Sequence, residues 1–257
     1  MGYVFDFADA GSYDAWFDKG KNRHCLDLEI KLMLDLLCPQ PGQRILDIGC
    51  GTGVSLEPLL NKGLSLTGLD PSPYMLDLAA QRLGHQVDLH PGKAEDLPFE
   101  DNAFDSALIF TSLEFMDRPA KAIEEACRVA KDRVVIGVLN RYAPLNLFRR
   151  LKSFFSPDFF THAHFFSIWE LRQILFAILG TVPIKCRTTL QFPFVTGPWV
   201  SAVENWGLVQ KSFCGTFIGM QIKPVPKFRT RPLALKVQKR TLYQPATGLV
   251  PGMRIKE

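Results

Sequence analysis

Asp47 stands two residues before a run of alternating glycines, Gly49-Cys50-Gly51-Thr52-Gly53, and Asp70 follows 23 positions after it. Glycines at alternate positions let a backbone turn through positive φ and approach a ligand with N–H groups rather than side chains. A carboxylate at Asp70 can accept from two adjacent hydroxyls at once, which suits a ribose with free 2′ and 3′ hydroxyls and rejects a phosphate there. The loop departs from the dinucleotide fingerprint G-x-G-x-x-G, because position 54 is Val, and no G-K-[ST] follows to cradle a triphosphate. These residue types fit a nucleoside without a pyrophosphate.

The elements around them alternate. "RILDIG" (44–49), "SLTGLD" (65–70), "QVDLHPG" (86–92), "FDSALIF" (104–110) and "RVVIGVL" (133–139) read as strands. Helices are expected at 53–62, 73–83 and 118–130, and one or two more over 12–37. Strands that are nearly continuous in apolar residues imply a parallel sheet covered on both faces, a doubly wound α/β fold. Such sheets bind ligands at the carboxyl ends of their strands, where Asp47, the glycine loop and Asp70 all fall. Beyond residue 140 the rhythm changes. "SIWELRQILFAIL" (167–179) is a helix with Ser167 and Glu170 as a capping box. Weaker strands follow near 185–192 and in "GTFIGMQIKP" (215–224).

Composition sets bounds. The chain has 257 residues, 47% hydrophobic and 22% charged, as in an ordinary globular protein. No run approaches the roughly 18 apolar residues of a membrane span, and residues 1–12 lack an apolar signal core, so a cytoplasmic location is expected. None of the six cysteines forms a C-x-x-C pair, so no metal site is expected, and Cys50 reads as a small residue in a tight turn rather than a nucleophile. Residues 223–257 carry +8, and the rest of the chain carries −4. That basic extension could touch nucleic acid, but it holds two aromatics only and reads better as a solvated terminal segment.

Taken together, "ILDIGCGTG", "GLDPSPYML", "GKAEDLPFEDNAFDSALIF" and "EEACRVAK" resemble the class I S-adenosylmethionine-dependent methyltransferases, in particular the type-11 group that includes quinone-biosynthetic enzymes. The resemblance is firm over 12–140 and looser up to "GTFIGM". It implies a Rossmann-like, mostly parallel seven-stranded sheet with an antiparallel last strand. It also implies a methyltransferase domain over 1–222, with N-terminal helices at 12–37, a cofactor core at 43–140 and a small helical, aromatic cap at about 141–167. S-adenosylmethionine is the implied cofactor. Gly49, Cys50, Gly51 and Gly53 then border its methionine part, and Asp47 helps to hold the ammonium end. Asp70 takes the ribose, with Pro71 and Met75 near the adenine. Glu95 and Asp96 lie at the adenosine, Asp96 accepting from the 6-amino group, while Leu97 offers its backbone N–H to the ring. Phe110 and Thr111 line the sulfonium, and Tyr13, with Trp16 and Phe17, covers the site. One departure is "KDRVV", which stands where family members carry proline and glycines before the fifth strand.

The resemblance leaves the acceptor open. Methyl transfer needs alignment more than a strong base, since proximity and orientation can supply ~7–11 kcal/mol. Candidates for a base are His24, Glu114, Tyr142, His162 and His164, with His164 preferred because 141–167 should fold over the open end of the site. Seven phenylalanines between 148 and 166 suggest an apolar acceptor pocket or a contact with lipid, or a cap whose aromatics pack on the sheet; a cap that also shapes the pocket, with "FPFVTGPW" (192–199) as a further wall, suits a small apolar or aromatic acceptor. The alternatives are a macromolecular acceptor, RNA or protein, and a protein that binds S-adenosylmethionine without catalysis.

Overall fold

The computed structural model describes residues 2–17, 20–153, 159–191, 210 and 212–224. The basic extension beyond 224, the segment 192–199 and Phe154 and Phe155 lie outside the described residues. By its contacts the chain divides into two units, Met1–Pro226 and Lys227–Glu257.

Five strands run parallel: β1 (Arg44–Ile48), β2 (Ser65–Asp70), β3 (Val87–Pro91), β4 (Phe104–Phe110) and β5 (Ala130–Leu139). Two more, β6 (Ile184–Thr189) and β7 (Phe217–Ile222), complete a seven-stranded sheet in the order β3-β2-β1-β4-β5-β7-β6. The last strand, β7, is antiparallel to both its neighbours, as the resemblance implied. Strand order reverses at β1, which has β2 on one side and β4 on the other. A crevice opens there at the carboxyl ends.

Helices cover both faces. Alternate residues of one strand serve opposite layers. Val134, Ile136 and Val138 of β5 join the core under α4 (Pro119–Val129) and α6 (Ile168–Leu179), while Val135 and Leu139 join that under α2 (Gly20–Leu37) and α3 (Pro73–Leu83). On the α2 side, Gly137 of β5 is paired with Gly219 of β7. A Cβ at Gly137 would come within 2.7 Å of Met33 Sδ, and one at Gly219 within 2.7 Å of Leu36 Cδ1. The helix therefore lies flush on this glycine pair.

Local chemistry explains most boundaries. Ser72 caps α3 by accepting from Met75 N at 3.3 Å, with Pro73 in the first turn. Ser167 caps α6 through Glu170 N at 3.1 Å. The "KDRVV" departure has a simple outcome: α4 ends at Val129 and β5 begins at Ala130, with no turn residues between. The helix expected at 53–62 is reduced to a 3-10 turn at Glu57–Leu59, since Pro58 removes a donor in mid-run and Asn61 (φ 60°) leaves the helical region. Another helix, α1 (Phe7–Phe17), precedes α2, and α5 (Pro144–Ser153) and a 3-10 turn (Phe159–His162) occupy part of the expected cap. No helix of the described residues is long and apolar enough to cross a membrane.

Candidate functional site

At the crevice the glycine loop leaves β1 and folds back over β2. Gly49 N and Cys50 N both donate to Leu69 O, at 2.7 and 3.0 Å, and Gly51 N donates to Asp70 Oδ2 at 2.9 Å. Gly49, Gly51 and Gly53 all have positive φ (73°, 52° and 80°), yet their missing side chains serve different ends. A Cβ on Gly49 would meet Ser112 at 2.5 Å and one on Gly53 would meet Leu83 at 2.6 Å, so those two glycines serve close packing. A Cβ on Gly51 would meet only Met75 Sδ, at an ordinary contact distance of 4.0 Å. Arg82 on α3 braces the loop by donating to Thr52 O and to Asp14 Oδ1, at 2.8 and 2.7 Å, which also docks α1.

A cavity of about 410 Å³ lies beside Gly51, within the size range of small-ligand sites. Gly49, Gly51, Asp70, Pro71, Met75, Glu95, Asp96, Thr111 and Tyr13 line it, so nine of the expected site residues share one wall. Asp70 accepts from Gly51 N and Ser72 N, one bond to each oxygen, and each oxygen keeps a lone pair for a further donor. Glu95 has a mainly architectural partner set: its Oε1 accepts from Asp117 N and Arg118 N at 3.1 and 3.2 Å, tying two loops across the cavity edge. Thr111 adopts φ 46°, a strained conformation for a β-branched residue, and its Oγ1 lies 3.5 Å from Tyr13 Oη.

The other expected contacts lie off the cavity wall. Gly53 packs against Leu83 instead, and Phe110 turns its ring toward Phe217, centroids 5.7 Å apart. The Leu97 N–H, expected to meet the adenine ring, donates to Glu125 Oε2 at 3.2 Å. Cys50 is buried beside Gly68, where a Cβ would lie 2.9 Å from its Sγ, and burial raises its thiol well above the usual range. Asp47 is fully buried; Ser55 Oγ donates to its Oδ2, and Oδ1 has no hydrogen-bond partner among the described residues. His164, the preferred base, is half exposed and does not line the cavity. Its Nε2 sits 2.8 Å from Glu170 Oε1 and 3.0 Å from Arg141 Nη2, in a surface ion cluster.

Part of the wall escaped the sequence reading. Residues Gly2–Phe5 cross the cavity as a strap. Tyr3 N donates to Phe115 O at 2.9 Å and its ring stacks on His162 at 4.1 Å. Phe5 meets Phe115 and Tyr13 edge-on, at 5.0 and 5.4 Å, and its carbonyl accepts from Ser72 Oγ at 2.7 Å. The only local signal was the alternation of Tyr3, Phe5 and Phe7, with nothing to name their partners.

The site is rich in buried acid. Burial raises Asp70 to about 6, Asp47 to about 7, Glu29 to about 7 and Glu114 to about 8. Between about pH 4 and pH 8 the folded chain therefore binds more protons than the unfolded chain, and stability falls as pH rises. Asp105, held low by the Arg44 N–H and by Lys131, and Glu125, held low by Arg128, are already ionised over most of that window and do not reverse the slope. The thermal midpoint of the ligand-free protein is expected to be lower at pH 8.5 than at pH 5.5; a rising midpoint would mean that water or counter-charge reaches these carboxylates.

The arrangement can take a nucleoside ligand. Gly51 offers an open backbone surface, Asp70 two free lone pairs at the end of β2, and the volume is adequate. Comparison with known proteins agrees. Residues 46–136 match the family described as a methyltransferase domain. An uncharacterised protein of Methanocaldococcus jannaschii is 37% identical over 190 residues, covering 73% of this chain and 85% of its own length. A demethylmenaquinone methyltransferase of Renibacterium salmoninarum is 41% identical over 101 residues, 39% of this chain, and the chain spans only 42% of that relative. Among solved structures, an S-adenosylmethionine-dependent methyltransferase of Thermotoga maritima, described as a possible histamine N-methyltransferase, superposes with a TM-score of 0.65 at 26% identity, covering 84% of this chain and 95% of its own. The magnesium protoporphyrin IX methyltransferase of Synechocystis, solved with bound S-adenosylhomocysteine, shares the fold at 16% identity and a TM-score of 0.59, over 86% and 97% of the two chains.

Proposed function

The chain belongs to the class I S-adenosylmethionine-dependent methyltransferases of the type-11 group, and from that premise we propose that it methylates a small, apolar or aromatic acceptor by in-line displacement. S-adenosylmethionine supplies the electrophilic methyl group. The protein's own residues hold and enclose. In this reading Asp70 grips the ribose hydroxyls, Gly51 lets the backbone meet the methionine part, and Pro71, Met75 and Asp96 border the adenine. Tyr13 and Thr111, whose hydroxyl oxygens lie 3.5 Å apart on the cavity wall, would border the methyl group and the acceptor.

One observation carries the small-acceptor reading: aromatic side chains of the chain itself line one part of the cavity. Tyr3 and Phe5 from the strap, Tyr13 from α1 and Phe115 after β4 pack on one another there, while Asp70, Lys93, Glu95, Asp96, Asp117 and Arg118 supply the charged part of the lining. Excluding water around aligned reactants is the service such an aromatic wall gives. The Renibacterium relative is named for an acceptor of this sort, demethylmenaquinone. A cytoplasmic location goes with this reading, and the six cysteines are free thiols, as a reducing compartment leaves them.

The test is transfer of labelled methyl from S-adenosylmethionine to a panel of small phenols, quinols and amines, beside bulk RNA and unfolded protein. Incorporation into one or more small molecules is the expected result. Label confined to RNA or protein would overturn the small-acceptor reading, and binding of the cofactor with no transfer to any acceptor would favour the non-catalytic alternative.

A further inference from the structure

A surface helix ordinarily turns its apolar side to the core and its polar side to water. In α5 the order is reversed. Among its described side chains the fully buried one is Asn146, whose Nδ2 donates to Asn140 O and Thr216 O, both at 2.9 Å. A polar peg thus pins the helix beside β5 and β7. Pro144, Leu147 and Phe148, three and four residues apart and so on one face, stand exposed. A second exposed row lies on α6, where Trp169, Arg172 and Phe176 follow at intervals of three and four. Tyr142 joins the rows, its ring 6.4 Å from that of Trp169. Tyr142, Leu147, Phe148, Trp169 and Phe176 are each more than half exposed.

The charge around this apolar face is positive. The sequence of α5 carries Arg149, Arg150 and Lys152 and no acid. On α6, Arg172 stands between the two aromatics, while Glu170 is held by Arg141 and His164. Outside residues 223–257 the chain sums to −4, so this basic character is local. Rings and aliphatic chains beside Arg and Lys suit the boundary of an anionic bilayer, where the apolar groups enter the acyl edge and the cations meet phosphates. A second copy docked on the same face through a twofold axis would set like charge against like.

We propose that α5 and the outer face of α6 seat the protein on the surface of an anionic lipid bilayer. The helix also reaches the cavity's strap through two contacts. Arg149 lies over the ring of Phe160 at 5.1 Å, and the turn that holds Phe160 stacks His162 on Tyr3. An apolar acceptor would then be taken from the phase in which it dissolves. That consequence rests on the small-acceptor reading; the seating itself does not.

The experiment is co-sedimentation of the full chain with vesicles of phosphatidylcholine alone, and of phosphatidylcholine mixed with phosphatidylglycerol. The expected result is partition to the anionic vesicles that salt weakens, with little on the neutral ones. The double variant Leu147→Ser, Phe148→Ser should lower that partition at least tenfold, and Trp169→Ser several-fold. Neither change touches the cavity lining, so both variants should keep the unfolding midpoint and its shift with S-adenosylhomocysteine. Partition left intact in both variants would assign it to the basic residues 223–257 and overturn the proposal. Equal partition to neutral vesicles, or none to either kind, overturns it as well. Self-association of the unsubstituted chain that the double variant abolishes would give the face to a second copy instead.

Discussion

Asp70→Ala is expected to weaken S-adenosylhomocysteine binding by between ten- and about a hundredfold in calorimetric titration, with the far-UV spectrum unchanged. Charge-assisted hydrogen bonds contribute roughly 1.5–3 kcal/mol each, and each 1.4 kcal/mol is tenfold in affinity. Two effects act in the same direction. The alanine gives ribose hydroxyls nothing to donate to, and it leaves Gly51 N and Ser72 N without the oxygens that hold loop and helix together. Asp70→Asn separates the two, since it retains one acceptor oxygen but no charge, and should fall between alanine and the unsubstituted chain. An unchanged dissociation constant for the alanine variant would place the ribose elsewhere.

The second large effect is on stability. Arg128 donates to Glu125, to Asp101 and to the carbonyls of Leu97 and Phe99, so one guanidinium pins the segment after Asp96 to α4. Glu125 is 7% exposed. Removing one partner of a buried pair costs about 3–5 kcal/mol where the other charge is left stranded; Lys121, 3.5 Å from Glu125, and the partial exposure of Arg128 put the expectation at the lower end. Urea unfolding of Arg128→Ala should show a loss of ~3 kcal/mol, partly restored by adding Glu125→Gln. A loss under ~1 kcal/mol would assign the network to the weak class of surface ion pairs.

Both predictions concern residues whose partners the sequence revealed unevenly. Asp70 was legible because strand, carboxylate and preceding glycine loop lie close along the chain, and the fold class followed from the same alternation. The strands of continuous apolar residues, such as 104–110, appeared with the expected bounds because burial on both faces demands that composition. Leu97 and Gly53 show the limit. Their place in a motif was readable, but whether an N–H meets a ligand or Glu125, and whether a missing Cβ admits a ligand or Leu83, depends on elements far away in the chain. His164 failed to reach the cavity for the same reason: proximity in sequence to an aromatic cap did not reveal that Arg141 and Glu170 would claim its ring. The strap of Gly2–Phe5 was invisible because its binding sites are the Phe115 carbonyl, the His162 ring and the Ser72 hydroxyl.

The glycine pair under α2 has a reach beyond packing. With no side chain at Gly137 or Gly219, Met33 and Leu36 rest directly on the sheet, and this seating fixes how deep Glu29, one turn earlier on the same face, is sunk. The pair works as a zero-thickness shim. One methyl group at either position would lift the helix that carries Glu29 while the cavity wall kept its sequence. Divergence among chains of this build can thus begin in the interior, at positions that no comparison of lining residues would flag.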